Sequence, residues 1–426
     1  MTNPRDREAF APGSPLAGAV RLFCLSDFDG PTQRSFASNR AWTRLRELGT
    51  ELWLDTGDMQ QAESLWCAEF SALTTNNTLL NKEVQKGIYD ELVPRAAAVV
   101  RQSCPGIGEP DLVLEIAFIL NAVHGLELVR RFGARVSVEL HTDLAHSIES
   151  SVAYALRYHG ICPSHFIVKV PLTPAGLVAA RRLSDRQVPV NFTLGFSARE
   201  NLVIGTLARP AYLNVFMGRI NAFISGGELG DGRNAGELAT QASQAVVSEL
   251  REQGVCQTRQ IGASMRGSEQ VPGLAGLDVY TMPVQVASGY LENPANELEN
   301  RMQAELPVAF NDGIDRRALG LDCFWDTDED TRRAVRAFET EPVAELDGAR
   351  VREILAENGA AYLFPELDPA EQQRIQGEGK IPVFRSWQSE VRSGRMAWDS
   401  LLTIAGLASF ASDQAMLDER IRTQLR

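Results

Sequence analysis

The sequence predicts a (β/α)8 barrel, or TIM barrel, of the α/β class, with additional helices at its C-terminal end. Between residues 51 and 284, short apolar segments alternate with longer segments of helical periodicity. This pattern is typical of parallel strands joined by right-handed crossovers. Eight candidate strands fall within about 240 residues, which agrees with a closed barrel in number and length. An open doubly wound sheet is the alternative, but no Gly-x-Gly-x-x-Gly motif follows the first strand.

The candidate strands are short runs rich in apolar and β-branched residues, and each is followed by a segment with the periodicity of a helix. The strands are predicted over residues 51–54, 72–75, 135–140, 166–170, 190–194, 212–216, 260–264 and 279–282. Helices are predicted over residues 80–104, 112–132, 147–159, 173–186, 200–207, 239–254 and 268–274.

Beyond Pro307 the alternation stops and only helical segments follow. Asp368 is predicted to cap a helix that has Pro369 at its first position. Gly359 and Gly377 are predicted to end helices, since glycine readily adopts the left-handed conformation found there. These signals divide the chain into a flexible N-terminal tail (1–18), the barrel (19–306), a helical insertion (307–395) and a C-terminal helix that packs on the barrel (396–426).

Composition and charge exclude several classes of protein. A net charge of −13 argues against nucleic-acid binding, because little positive charge is available to neutralise a phosphate backbone. No apolar stretch approaches about 18 residues, so no membrane span is expected, and the polar N-terminus lacks the apolar segment of a signal peptide. The six cysteines are scattered and the five histidines show no ligand spacing. We therefore expect reduced thiols, a cytoplasmic location, and neither a metal site nor a cofactor.

Lys169 is the most unusual residue of the predicted barrel. It lies in the middle of an apolar strand, where a charged side chain is rare unless it is paired. Only four of the 42 lysine and arginine residues are lysines, so the chain uses arginine for almost all of its positive charge. Arginine cannot act as an amine nucleophile, whereas a buried lysine can. Two interpretations remain open at this point: a lysine that forms a Schiff base, or one that pairs with a carboxylate.

Polar residues occur at or just after the ends of seven of the predicted strands. In a barrel the C-terminal ends of all strands face one opening, so these side chains are expected to converge on a single site. One such residue alone would be a turn or cap, but the repetition around Lys169 indicates an active site. The residues are Asp55, Asn76, Glu139, Lys169, Asn191, Thr193, Asn214, Arg219, Ser264 and Arg266.

The same segments resemble the transaldolase family, which belongs to the Schiff-base (class I) aldolases. Each motif is modest by itself, but seven occur in order between residues 52 and 284. A C-terminal segment, residues 409–421, is also similar to the last helix of the family. The motifs include Leu54-Asp55-Thr56-Gly57-Asp58, Thr74-Thr75-Asn76, Val168-Lys169-Val170-Pro171, Pro189-Val190-Asn191-Phe192-Thr193, Phe216-Met217-Gly218-Arg219 and Gly262-Ala263-Ser264-Met265-Arg266.

The resemblance implies an enzyme that moves a dihydroxyacetone unit from a ketose phosphate, such as sedoheptulose 7-phosphate or fructose 6-phosphate, to an aldose phosphate in the pentose phosphate pathway. It implies that Lys169 is the nucleophile and that Asp55 takes the hydroxyl proton as the carbon–carbon bond breaks. Glu139, through a water held with Thr193, would carry protons while the imine forms and hydrolyses. No metal is required, since the protonated imine accepts the electrons.

The resemblance also implies which residues bind the substrate. Asn76 and Asn191 would bind hydroxyl groups of the donor, and two arginines with a serine would hold the phosphate, because guanidinium groups bind phosphate bidentately. The full set of implied substrate-binding residues is Thr74, Asn76, Asn191, Asn214, Phe216, Arg219, Ser264 and Arg266.

The chain departs from the family pattern in four places. Asn77 stands where a proline is usual, Asn214 where a serine is usual, and Gly195 where a bulkier residue is usual. The fourth departure is the insertion, which could reshape the acceptor pocket, contact a second subunit in a homodimer, or add a packing layer.

Two other functions remain open. One is a Schiff-base aldolase of the fructose-6-phosphate aldolase type, which releases both fragments. The resemblance implies that those relatives have Gln and Tyr at the positions of Glu139 and Phe216. The transferase is therefore favoured here. The other is a barrel that binds sugar phosphates without catalysis, since a fold by itself does not specify chemistry.

Overall fold

The computed structural model describes residues 8–426. Eight parallel strands close into a barrel in the order in which they occur along the chain, which confirms the predicted fold class. The strands are β1 (Glu51–Asp55), β2 (Phe70–Thr74), β3 (Arg135–Glu139), β4 (Phe166–Pro171), β5 (Val190–Thr193), β6 (Tyr212–Phe216), β7 (Arg259–Ala263) and β8 (Val279–Pro283).

Helices surround the barrel and continue beyond it. Asp328 and Asp368 cap helices through side-chain oxygens that accept backbone N–H groups. The helices are α1 (Pro15–Cys24), α2 (Arg40–Glu47), α3 (Met59–Leu65), α4 (Asn77–Gln85), α5 (Leu92–Ser103), α6 (Glu109–Phe132), α7 (Ile148–Ile161), α8 (Pro174–Ser184), α9 (Ala198–Val203), α10 (Met217–Gly226), α11 (Ala235–Glu252), α12 (Gln270–Gly273), α13 (Val284–Glu292), α14 (Glu329–Thr340), α15 (Gly348–Glu357), α16 (Pro369–Glu378), α17 (Phe384–Arg392) and α18 (Trp398–Leu425).

Large side chains fill the lower part of the barrel interior. Trp53, Ile167 and Ile261, together with the smaller Ala72, are buried there against Tyr212. Below them, the carboxylate of Glu51 pairs with guanidinium groups of β3 and β7, including that of Arg259 at 2.6 Å. This packed layer, which we call the barrel plug, leaves open space only toward the C-terminal ends of the strands.

The predicted helix over residues 80–104 is wrong in extent. The segment forms two helices, α4 and α5, which are separated by a turn at residues 86–91. Gly87 has a φ of +80° in this turn, a conformation that ends a helix and that glycine adopts without strain. The helical periodicity on either side of Gly87 was sufficient to suggest one continuous helix, although a glycine interrupts it.

Helix α6 is long and apolar enough to cross a membrane by length and composition, and most of it is buried inside the fold. Its buried Glu115 accepts hydrogen bonds from Arg157 at 2.6 Å and from Tyr154 at 2.6 Å. These contacts satisfy a carboxylate that would otherwise be costly to bury. Helix α6 packs against β3 of the barrel, and these side-chain contacts join it to α7.

The C-terminal region contains the predicted helices, with one corrected boundary. Gly359 follows α15 with a φ of +84° and ends it as expected. Gly377 does not end α16, because the helix continues through Glu378 and the positive φ occurs at Gly379. The long helix α18 packs against α4, α5 and α6.

The N-terminal tail is shorter than predicted. Residues 15–18 belong to α1, where Ser14 caps the helix and Leu16 is buried against the helices around the barrel. An apolar contact of this kind holds a segment in place. Residues 1–7 of the predicted tail lie outside the described residues.

Candidate active site

A cavity of about 210 Å³ opens at the C-terminal ends of the barrel strands. Its floor includes Ile261 of the barrel plug. Strand alternation explains its lining, because Asp55, Thr74, Lys169 and Asn214 each follow a plug residue by two positions and therefore face inward one layer higher. The predicted site residues that line the cavity are Asp55, Thr74, Asn76, Lys169, Asn191, Asn214, Phe216, Arg219, Ser264 and Arg266.

Lys169 is buried in the centre of this arrangement. Its neighbours across the sheet are Glu139 on β3 and Asn191 on β5. The lysine Nζ lies 3.8 Å from Glu139 Oε1 and 5.8 Å from the ring centre of Phe410. At this separation the amine is attracted by the carboxylate without a direct hydrogen bond. The amine therefore remains available to a substrate carbonyl in the cavity.

Asp55 lies at the end of β1 and is the carboxylate that lines the cavity. Burial raises the pKa of Asp55, and the positive charges of Lys169, Arg266 and Lys82 oppose this increase. Because burial favours its neutral form and the nearby cations favour its charged form, Asp55 is suited to exchange a proton with a bound ligand.

Glu139 faces Lys169 but does not line this cavity. Its Oε2 accepts a hydrogen bond of 2.9 Å from the backbone N–H of Asn77, at the start of α4. Burial raises the pKa of Glu139, while Lys169 and the Asn77 N–H oppose the increase. Glu139 is thus held beside the amine, on the side away from the cavity.

Thr193 also lies outside the cavity lining, at the end of β5. Its hydroxyl is buried and has no hydrogen-bond partner among residues 8–426. A buried hydroxyl normally bonds to protein or to ordered water. The role of Thr193 in holding a water for Glu139 stays a prediction.

Two asparagines form a short hydrogen-bonded chain along the cavity wall. Asn214 Nδ2 donates to Asn191 Oδ1 at 3.2 Å, and Asn191 Nδ2 donates to the Ser137 hydroxyl at 3.0 Å. Asn214 Oδ1 is buried without a partner in the described residues. This oxygen can accept a hydrogen bond from a ligand hydroxyl.

Thr74, on β2, and Asn76, in the loop after it, also line the cavity and form their own hydrogen bonds. Asn76 Oδ1 caps α4 by accepting the Leu79 N–H at 2.8 Å. The Thr74 hydroxyl is hydrogen bonded to that of Thr281 on β8. The amide nitrogen of Asn76 therefore remains for a ligand, whereas Thr74 is already paired with a neighbouring strand.

Arg219, Ser264 and Arg266 form an unpaired basic corner of the cavity. Neither arginine lies within ion-pair distance of a carboxylate of residues 8–426, and Arg219 Nη1 and Ser264 Oγ are buried without partners. Burial and the charge of Arg266 lower the pKa of Arg219 to about 10. Arg219 also lies against the rings of Phe216 (5.3 Å) and Phe410 (5.6 Å). Such buried, unpaired donors make a site for an anion.

Gly218, in the first turn of α10, allows this helix to meet the turn that follows β7. A Cβ atom on Gly218 would lie 2.1 Å from the backbone oxygen of Ser264. Ser264 itself has a φ of +61°, which turns the chain directly after β7. A larger residue at position 218 would separate Arg219 from Ser264 and Arg266.

Sequence reasoning missed several residues that line the cavity, of which Phe410 and Lys380 are the two from beyond the barrel. Phe410 belongs to α18 and Lys380 follows α16, so both come from the C-terminal region. No strand end marks them, and only the packing of these helices brings them to the barrel. Residues 8–426 contain no cluster of three or more His, Cys, Asp or Glu side chains able to hold a metal ion.

Comparison with known proteins agrees with this geometry. The family model described as "Transaldolase/Fructose-6-phosphate aldolase" matches residues 52–341, which include the eight strands except for Glu51, the first residue of β1. The chain belongs to this family. The match contains every sequence-predicted residue of the site, while Lys380 and Phe410 lie beyond its end.

Curated members of the transaldolase/fructose-6-phosphate aldolase family are distant relatives. A transaldolase of Xanthomonas euvesicatoria pv. vesicatoria is 28% identical over 256 residues, which cover 58% of this chain and 76% of the relative. A transaldolase of Methylibium petroleiphilum is 25% identical over 316 residues, covering 70% of this chain and 95% of the relative. The additional C-terminal helices extend beyond the family match.

Proposed function

We propose that the protein is a transaldolase that moves a dihydroxyacetone unit from a ketose phosphate to an aldose phosphate through a Schiff base on Lys169. The observation that carries this proposal is the buried amine of Lys169 beside Glu139, in a cavity that also contains Asp55. Membership of the family and the names of its relatives support the same activity.

The first half of the reaction forms and then cleaves the donor adduct. The neutral amine of Lys169 attacks the ketose carbonyl, and Glu139 transfers the protons needed for water to leave as the imine forms. Asp55 then accepts the proton of the hydroxyl on the fourth carbon, and the bond between the third and fourth carbons breaks. Its electron pair enters the protonated imine, giving an enamine on Lys169 and a free aldose phosphate.

The second half reverses these steps on a new aldehyde. The enamine carbon attacks the carbonyl of the acceptor, and Asp55 returns its proton to the new hydroxyl oxygen. Water then adds to the imine with proton transfer by Glu139, which releases the ketose and restores Lys169. Arg219 and Ser264 supply buried donors without partners, and Arg266 adds a positive charge, so that together they would hold the phosphate of each substrate in turn.

The alternative is cleavage without transfer, as in the aldolase branch of the same family. Phe216 favours transfer, because it lines the cavity without a hydroxyl that could hold water near the enamine. Glu139 likewise matches the transferase pattern rather than the glutamine of the aldolases.

Borohydride trapping tests the covalent step. After incubation with fructose 6-phosphate and sodium borohydride, a dihydroxyacetone-sized adduct should map to Lys169, and Lys169→Met should carry none. The exposed Lys86, which pairs with Asp58 at 2.8 Å, is an internal control. An adduct at Lys82, Lys86 or Lys380, or no adduct, contradicts the assignment.

Turnover with and without an acceptor separates transfer from cleavage. Fructose 6-phosphate consumption should be much faster in the presence of erythrose 4-phosphate than in its absence. Equal rates under both conditions would show that the enzyme is an aldolase.

A further inference from the structure

A lysine from the C-terminal region lines the candidate active site. Lys380 directly follows Gly379, at the end of α16, and its side chain borders the cavity that contains Lys169. Lys380 is exposed and has no hydrogen bond or ion pair with any of residues 8–426. Its charge is therefore not used by the fold.

The segment that carries Lys380 is held in position at both ends. Gly379 has a φ of +81°, which turns the chain out of α16. The Glu378 carboxylate then accepts hydrogen bonds from the Val383 N–H at 2.9 Å and the Trp387 indole N–H at 2.8 Å. Trp387 is fully buried in the core of the C-terminal region. This short loop thus presents Lys380 to the cavity from a fixed support.

Positive charge predominates around the cavity, although the chain as a whole carries a net charge of −13. Lys169, Arg219, Arg266 and Lys380 line it, with Asp55 as the carboxylate among its lining residues. An unpaired lysine added to two unpaired arginines strengthens the attraction for a dianion.

We infer that Lys380 is a substrate-binding residue that contacts the phosphate of the sugar substrates and makes the enzyme selective for phosphorylated over unphosphorylated aldoses. This inference rests on the proposed function for the identity of the substrates. It assigns a role in the site to a residue that lies outside the family match, which ends at residue 341. The C-terminal region thereby contributes to specificity as well as to packing.

This selectivity is measured by comparing two acceptors, erythrose 4-phosphate and unphosphorylated erythrose. Lys380→Met should raise KM for erythrose 4-phosphate about three- to tenfold, as expected for loss of one charged contact at a partly exposed site. KM for unphosphorylated erythrose should change less than twofold, and Lys380→Arg should recover most of the loss. Equal changes for both acceptors, or no change for either, would overturn the inference.

Arg385→Met is the matched control for charge. Arg385 is an exposed cation five positions away, pairs with Glu228 at the surface, and does not line the cavity. This variant should leave both KM values within about twofold of the wild type, since the surface ion pair contributes little. If it had the same effect as Lys380→Met, a general change in net charge would explain the result.

Binding of inorganic phosphate separates this inference from the proposed reaction. Calorimetric titration of the resting protein requires no Schiff base, so it works even if the enzyme is not a transaldolase. Lys380→Met should weaken phosphate binding about three- to tenfold, whereas Arg385→Met should not. Unchanged binding in Lys380→Met overturns the role of Lys380, and absent trapping at Lys169 overturns only the proposed function.

Discussion

Asn77 shows how one substitution can alter the surroundings of a buried carboxylate, here Glu139, to which the proposed mechanism assigns proton transfer. The residue occupies the position where the resemblance leads us to expect proline, and its backbone N–H donates to Glu139 Oε2 at 2.9 Å. Proline has no N–H, so it could not make this bond. The bond stabilises the charged form of Glu139 and opposes the increase in pKa that burial causes. This chain therefore has a donor to Glu139 that a proline would remove.

Replacement of Asn77 by proline is expected to shift the pH dependence of activity. Loss of the N–H removes a contact that lowers the pKa of Glu139, so this pKa should rise and the carboxylate should ionise only at higher pH. The acidic limb of the kcat/KM profile should move to higher pH. Position 77 is the first residue of α4, where proline fits a helix.

Asn77→Ala provides the comparison, because it keeps the backbone N–H while it also loses the side-chain bond to the Leu140 oxygen. Its acidic limb should stay where it is in the wild type. An equal displacement in both variants would mean that the side chain, and not the N–H, controls Glu139.

The positions of site residues that lie on strands could be predicted from the sequence, because the strand fixes which way each side chain faces. Asp55, Lys169 and Asn214 follow from strand alternation, and the register places Glu139 beside Lys169. The bond between Asn77 and Glu139 could not be predicted, since it depends on the exact start of α4 relative to β3. Glu139 was expected to line the cavity, but the hydrogen bond from the Asn77 N–H holds its carboxylate outside the lining.

At the scale of elements, α16 shows why helix ends are difficult to predict. Gly377 and Gly379 are two residues apart, and either could provide the left-handed conformation after the helix. The structure has Gly377 within the helix and a φ of +81° at Gly379. Sequence alone did not distinguish them, because the choice depends on how the following loop reaches Trp387.

These two glycines provide a matched pair of substitutions. No atom lies within 4 Å of a Cβ added at either position, so packing does not distinguish them. Gly377→Ala should stabilise the protein by about 0.5–1 kcal/mol because alanine is the better helix former. Gly379→Ala should destabilise it by about 1–2 kcal/mol because of its backbone conformation.

Urea unfolding measures both changes in the free energy of unfolding. The opposite signs are the decisive result. Destabilisation by Gly377→Ala would indicate that α16 ends earlier, as the sequence had suggested.

At the scale of the whole molecule, Arg199 connects the barrel to the C-terminal region. Its guanidinium group makes two hydrogen bonds of 2.7 Å to Asp399 of α18 and one of 3.0 Å to Asp328 before α14. It also lies 4.4 Å from the ring centre of Tyr362. A single buried residue of α9 thus contacts three separate parts of the region beyond the barrel.

Replacement of Arg199 by methionine should destabilise the protein by about 3–5 kcal/mol, because Asp399 would remain buried without its partner. The double variant Arg199→Met, Asp399→Leu should recover much of the loss, since no unpaired charge then remains. Thermal and urea unfolding measure both effects. A loss below about 1 kcal/mol in the single variant would show that water reaches Asp399 and that the contact is not structural.

The overall architecture was easier to predict than the attachment of its parts. Eight strands with alternating helices determine a barrel because closure satisfies every strand edge. The contact of Arg199 with Asp399 spans 200 positions, and no local pattern indicates such a pair. For the same reason Lys380 and Phe410 could not be assigned to the cavity from sequence.

The barrel plug has a further consequence for the order of events. Because Trp53, Ile167 and Ile261 close the barrel interior from below, substrates and products must use the same opening, at the C-terminal ends of the strands. In the proposed transfer reaction, the first aldose must therefore leave before the second aldehyde can enter, and the three-carbon fragment stays covalently bound to Lys169 in the interval. We accordingly expect substrate binding and product release to alternate, as in ping-pong kinetics.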